Sequence, residues 1–325
     1  MKPAILILIA ALAFPGIIRA RAQEVAHSEE GCNIDHPRRV SKKDNIAAIG
    51  TRRIGSHGFG NWYSLESEIK MGRESSKDVE QTSKLDRDPL VTEYVNRIGQ
   101  SLVRNSDANV PFTIKVIESD EVDAFALPGG FLYVNTGLIL ATRDEAELAA
   151  VMAHEIAHVA AHHATREMTR SHMLSLASIP LLFVGGPAGM ALQDALKVAG
   201  PLSLTKFSRG FEAEADYLGV EYLYKAGYDP QALISFFERI RAVEKQKQGL
   251  MSKAFASHPQ TAGRINKTRK EISTILPPRD MYLVSTSEFD EVKARLAATG
   301  SHQAREPARP SLRRRPSSDG DKLAR

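Results

Sequence analysis

Hydrophobic positions along the chain change their period several times, and each change marks an expected element. From Asn61 to about Leu85, Leu65, Ile69 and Met71 recur near helical spacing, which predicts a first helix. Asp88-Pro89 introduces a second, in which Val91, Val95, Ile98 and Leu102 share one face. The pattern then alternates in "PFTIKVIES", a β-branched stretch that reads as a strand. "VDAFALPGGFLYVN" reads as two short strands about Leu127-Pro128-Gly129-Gly130, with Pro128 and Gly129 suited to the centre of a type II turn. Thr142 to Glu147 open the next helix with acids in its first turn, favourable to the helix dipole. Residues 173–204 are apolar but broken by Pro180, Gly185-Gly186-Pro187 and Gly189. They predict a hydrophobic helical hairpin or lid rather than a membrane span, a surface of the kind that meets a membrane or a partner. Helices are expected at 209–226, 230–245 and 259–274, and Pro277-Pro278 closes the compact part. A short strand and helix follow. The fold class is α+β, mainly helical with a small mixed sheet.

The two ends read differently from the middle. Lys2, the apolar run Ala4–Phe14, the Pro15-Gly16 break and Ala20-Arg21-Ala22 have the layout of a signal peptide cleaved after Ala22. An uncleaved anchor helix is the alternative, short for a span of about 20 residues. Export follows, with the periplasm as the expected compartment. The expected organisation is a signal peptide at 1–22, an irregular segment at 23–58, one compact domain at 59–278, a strand and helix at 279–298, and a disordered basic tail at 299–325. That tail holds seven Lys/Arg against three Asp/Glu, so it carries the whole net charge of +4. The folded part is electrically balanced and shows no nucleic-acid footprint. Cys32 is the single cysteine, which excludes an internal disulfide and a thiolate metal site.

Any metal must therefore be held by histidines and carboxylates, and one stretch offers them. "VMAHEIAHVAAHH" (151–163) places His154 and His158 four apart, on one helical face, with Glu155 between them in sequence. This is the His-Glu-x-x-His pattern of helix-borne zinc peptidases, the glutamate serving as general base. A catalytic zinc needs three protein ligands and an open position. The extension that supplies a third histidine from the same helix fails, because Ala161 and Ala164 stand at the required positions. His162 and His163 read as exposed residues of the helix end. "SRGFEAEADYLG" (208–219) supplies acids instead: Glu212 and Asp216 share a face and Glu214 is rotated away. Glu212 is the expected third ligand, and Asp216 the acceptor for a ligand imidazole. His258 precedes Pro259, which suits the first turn of a helix. It is either a residue free to point at the site or a plain capping position. Arg209 and Arg264 read as ion-pair residues.

"HEIAH", "SRGFEAEAD", "SHPQTAGRI" (257–265) and the upstream "DAFALPGG" together resemble the zinc metallopeptidases related to HtpX, BepA and the CAAX prenyl endopeptidases, over about residues 60–275. The resemblance implies a zincin-like fold with one Zn²⁺ on His154, His158 and Glu212, and catalysis by Glu155. It implies that Asp123, Ala124, Phe125 and Ala126 bind substrate backbone as an added strand, and that His258 supports the oxyanion or fills the open zinc position as a switch. Asp123 stands where the family usually has Asn, a carboxylate in place of an amide at that contact. The expected function is an exported zinc endopeptidase acting on proteins or peptides, unfolded proteins of the cell envelope among them. Two rivals stand beside it: a chaperone-like client-binding protein, and a protease docked on a membrane surface through 173–204.

Overall fold

The computed structural model describes residues 45–178, 208–246, 258 and 261–303. The expected signal segment, the 173–204 stretch beyond Ser178, and the tail beyond Gln303 lie outside the described residues. In chain order the elements are α1 (Leu65–Thr82), α2 (Pro89–Arg104), β1 (Thr113–Ile117), β2 (Ala124–Leu127), β3 (Phe131–Asn135), α3 (Thr136–Ala141), α4 (Glu145–Ala160), α5 (His163–Ser178), α6 (Arg209–Ala226), α7 (Gln231–Gln246), α8 (Ala262–Ile275) and α9 (Ser287–Gln303). The mainly helical α+β expectation holds.

Helix starts follow local chemistry. Ser64, Asp88, Asp144, Ser208 and Thr261 each accept a hydrogen bond from a backbone N–H two or three residues on, caps worth about 1 kcal/mol apiece. Three boundaries are thereby corrected. The first helix starts at Leu65 rather than Asn61, because Ser64 caps it. The metal-motif helix starts at Glu145, since Thr142 ends the separate short helix α3 and Asp144 is the cap. The helix after His258 starts at Ala262 with Thr261 as cap, rather than at residue 259, which lies outside the described residues. The expected strand near Tyr282 shrinks to one bridge between Leu283 and Tyr228, while the helix after it runs to Gln303.

The sheet has the order β1-β3-β2, with β1 parallel and β2 antiparallel to β3. Phe125 opposes Tyr133, and their rings stack at 5.2 Å. The hairpin between β2 and β3 turns at Pro128, Gly129 and Gly130. Gly129 has φ +75°, the value the third position of a type II turn requires. The hairpin lies hard against α1: a Cβ on Gly72 would stand 1.8 Å from the carbonyl oxygen of Pro128.

All sixteen residues of α4 are buried. A helix buried all round sits at the centre of a domain. It is enclosed by α2, α5, α6, α7 and the strands β2 and β3. Its closest partner is α6, where Gly219 permits the approach: a Cβ there would be 3.3 Å from the Cα of His154. Among the described residues, no helix is long and apolar enough to cross a membrane.

Candidate metal centre

α4 and α6 bring their polar residues together inside this core. His154, His158, Glu212 and His258 each offer one ligand-type atom, and all four atoms lie within 4.8 Å of one another. Nε2 of His154 is 3.1 Å from Nε2 of His158, and Nδ1 of His258 is 2.8 Å from Oε1 of Glu212. The sequence predicts that three of these residues meet, and leaves His258 as either a residue free to point at them or a plain capping position. All four are at most 3% exposed.

Charge tests whether a cation belongs there. Glu155, Glu212 and Asp216 are buried within 3% exposure, and Arg264 is the guanidinium among them. Arg264 grips Asp216 through Nε and Nη2 at 2.7 and 2.6 Å, and its Nη1 lies 2.8 Å from Glu212. Three carboxylates against one guanidinium leave two negative charges over, and an uncompensated buried charge costs several kcal/mol. A single divalent cation removes that deficit. Two imidazole nitrogens and a carboxylate oxygen are the donor set that suits zinc. In the protein alone, protons play the cation's part. Burial drives His154 down, but Asp216 and Glu212 outweigh it and hold the imidazole up at about 9. Burial, with His154 and His163 beside it, pushes His158 well down. Against its burial, Glu212 is drawn well below the usual carboxylate range by His154 and His258. Metal binding at such a cluster releases protons.

Asp216 meets its expected neighbour, with Oδ1 3.1 Å from Nδ1 of His154. Glu155 sits to one side of the cluster. Its Oε1 is 3.5 Å from Nε2 of His258, and its Oε2 accepts a hydrogen bond of 3.2 Å from the backbone N–H of Ala126. Burial pushes the Glu155 carboxyl up, the direction a general base needs. That hydrogen bond also shows which way β2 faces. The Asn135 N–H of β3 donates to the carbonyl of Asp123 while the Ala126 N–H turns to Glu155, so by strand alternation the backbone groups of Ala124 and Ala126 line the free edge, toward Glu155. Asp123 precedes them, its Oδ1 buried without a partner; burial first, then the charge of Glu155, push it up to about 7.

One expectation is overturned. His163 is not an exposed helix end but completely buried, with Nδ1 2.9 Å from Nδ1 of His158. His162, half-buried, adopts φ +54° and breaks the helix there, with its Nδ1 2.7 Å from Oε2 of Glu68. The break swings His163 back beneath His158. A helical wheel assumes an unbroken helix, so no spacing rule signals this contact. Glu214, correctly set apart from the ligand face, turns to His163 and to Arg166. Arg264 forms the expected ion pairs, whereas Arg209 is exposed and makes none among the described residues.

A His-Glu-x-x-His helix beneath a small mixed sheet, with a carboxylate arriving from a second helix, defines the zincin-like class of metallopeptidase. Residues 89–272 match Peptidase family M48, and the chain belongs to that family. It is similar to the beta-barrel assembly-enhancing protease of Escherichia coli strain K12, 31% identical over 80% of this chain and 53% of that protein. It is similar to the metalloprotease LoiP of the same strain, 29% identical over 70% of this chain and 90% of the relative. The mitochondrial metalloendopeptidase OMA1 of Schizosaccharomyces pombe is 32% identical over 64% of this chain and 61% of its own length. The chain spans about half the length of the beta-barrel assembly-enhancing proteases it matches. Zinc is the metal of this family, and the donor set fits it.

Proposed function

We propose that the protein is an exported zinc metalloendopeptidase that cleaves proteins of the cell envelope, with His154, His158 and Glu212 holding the metal and Glu155 acting as general base. The observation that carries this reading is the position of Glu155, whose carboxylate lies between the metal cluster and the free edge of β2. The relatives named as a beta-barrel assembly-enhancing protease and as LoiP support envelope proteins as substrates and the periplasm as the compartment. Domain limits follow the sequence reading, with the compact domain at 59–278.

Bound at this cluster, zinc supplies Lewis acidity, lowering the pKa of a water and polarising the scissile carbonyl. The substrate backbone pairs with the free edge of β2 at Ala124 and Ala126, an added strand whose hydrogen bonds are independent of side-chain identity. The Ala126 N–H then exchanges Glu155 for a substrate carbonyl, which frees the carboxylate to take the water's proton and deliver it to the leaving amine. Asp216 and Arg264 hold His154 and Glu212 in place. His258, whose Nδ1 lies 2.8 Å from Oε1 of Glu212, would either offer a fourth donor to a bound metal as a switch or support the oxyanion.

The test uses purified protein, with bound zinc and casein cleavage measured before and after a chelator. Glu155→Gln is expected to keep its zinc and melting temperature while cleavage falls by ~10²–10⁴-fold, the worth of a positioned base. Cleavage near wild type with full zinc removes the role assigned to Glu155. If neither protein cleaves and both retain an unfolded client, the chain is a binding protein.

A further inference from the structure

We propose that His163 is a positioning residue that fixes the ring and tautomer of His158 for metal binding, itself oriented by Glu214 and Arg166. The inference rests on the reading that His158 holds the metal through Nε2, and it deepens that reading.

The geometry permits only one direction of hydrogen bonding. For His158 to offer a lone pair at Nε2, its proton must sit on Nδ1. That Nδ1 lies 2.9 Å from Nδ1 of His163, which must therefore accept. A neutral His163 that accepts at Nδ1 carries its proton on Nε2, and Nε2 lies 3.3 Å from Oε2 of Glu214, an acceptor only. Arg166 Nη1 donates to the same oxygen at 3.0 Å. Every donor thus meets an acceptor along the chain Arg166–Glu214–His163–His158.

Packing holds the intermediate ring in place. His163 stacks on Phe211 with centroids 4.5 Å apart and an angle of 20°. The Arg166 guanidinium lies 4.6 Å from the centroid of that same ring. Phe211 and Glu214 both belong to α6, which also carries Glu212. The two metal-site imidazoles are therefore oriented differently: a carboxylate faces His154 at Nδ1, and a second imidazole, itself anchored on α6, faces His158. Partners behind metal-bound histidines set ring orientation and basicity, and their loss typically weakens metal binding by ~10–100-fold.

Two variants separate orientation from simple packing. His163→Phe keeps a ring to stack on Phe211 and removes the acceptor. His163→Asn removes the ring and returns an acceptor oxygen near the place of Nδ1. Zinc affinity, measured on the full chain by chelator competition, is expected to fall ~10–100-fold in His163→Phe and to recover substantially in His163→Asn. The melting temperature of zinc-free protein checks that both variants fold. Imidazole-nitrogen NMR of the zinc-loaded protein is expected to show His158 protonated at Nδ1 and His163 at Nε2. Wild-type affinity in His163→Phe, or equal loss in both folded variants, overturns the proposal. Full zinc retention by His158→Ala overturns instead the ligand reading on which it stands.

Discussion

His154, Glu155, His158, Glu212 and Asp216 ride on two packed helices, whereas Ala124 to Ala126 stand on an edge strand, with Asp123 just before it, and His258 stands outside any helix. The two halves of the proposed site are fixed by different physics. On α4 and α6 the relative places of side chains are set by the 3.6-residue period, and burial of α4 on all sides, against α6 most closely, fixes the two helices together. The edge strand and His258 are placed by contacts distant in sequence. The hairpin that ends β2 rests on α1 through Gly72, and Arg264 of α8 reaches the carbonyl oxygen of His258 at 3.4 Å. The helical half is a holder set by local geometry, and the other half is set by contacts between distant parts of the chain.

The largest effects are expected from the holder. His154→Ala and Glu212→Ala should each lose bound zinc and all cleavage, because each removes one of the three proposed ligands. Glu214→Ala, which removes only the anchor behind His163, should lose much less. Equal zinc content in the Glu212 and Glu214 variants, measured by metal analysis on folded protein, would reassign the third ligand.

The other half should answer with a different sign. If His258 fills the fourth position at rest, His258→Ala keeps its zinc and cleaves casein faster than wild type. A turnover number ~10²–10³-fold lower at unchanged zinc content marks His258 instead as an oxyanion donor. Turnover, KM and zinc content on one preparation decide between these outcomes.

The same difference governs what is legible in the sequence. His154, Glu155 and His158 share one segment, and Glu212 and Asp216 another, so a helical wheel alone places them correctly within each helix. The alternation of β2 is visible in its residues too, but its nearness to Glu155 follows from the tertiary fold, and only the family resemblance implies it. His163 escapes the wheel because a left-handed residue at His162 ends the helix, and nothing in the residue types announces that break. The late start of α8 is a smaller departure of the same kind: Pro259 has the chemistry of a helix opener, while Thr261 makes the actual cap.

A stability prediction tests the contact that seats the edge strand. In Gly72→Ala the new methyl meets the Pro128 carbonyl, a backbone atom that cannot rotate away, so the hairpin must shift. Overpacking of this kind costs about 1–3 kcal/mol. The variant should unfold at lower denaturant concentration and bind substrate more weakly, while zinc affinity stays near wild type. A parallel fall in zinc affinity would show that the two halves are mechanically coupled.

The smallest expected effects concern acid, and they rank the two halves once more. His163 first, with Arg166 behind it, pulls the Glu214 carboxyl down to about 2 against its burial. Lys115 first, helped by the hydroxyl of Tyr133, draws Glu80 of α1 below its ordinary value and so fastens α1 to β1 and β3. A carboxyl whose folded pKa is depressed stabilises the protein above its unfolded value, and that stability is lost as pH falls through the folded value. For Glu214 the window runs from about 4.5 down to about 2. His163 works in the same direction, since burial pushes it down to about 4 and protonating it favours the unfolded chain. The Glu80–Lys115 pair is about a third exposed, at 30% and 34%, and water screens it to the ~0.2–1 kcal/mol of a surface ion pair. Urea unfolding of zinc-free protein, followed from neutrality into acid, should therefore show Glu214→Gln flattening the acid limb visibly and Glu80→Gln changing it by no more than that pair is worth. The reverse ranking would place the tighter electrostatic fastening at the sheet.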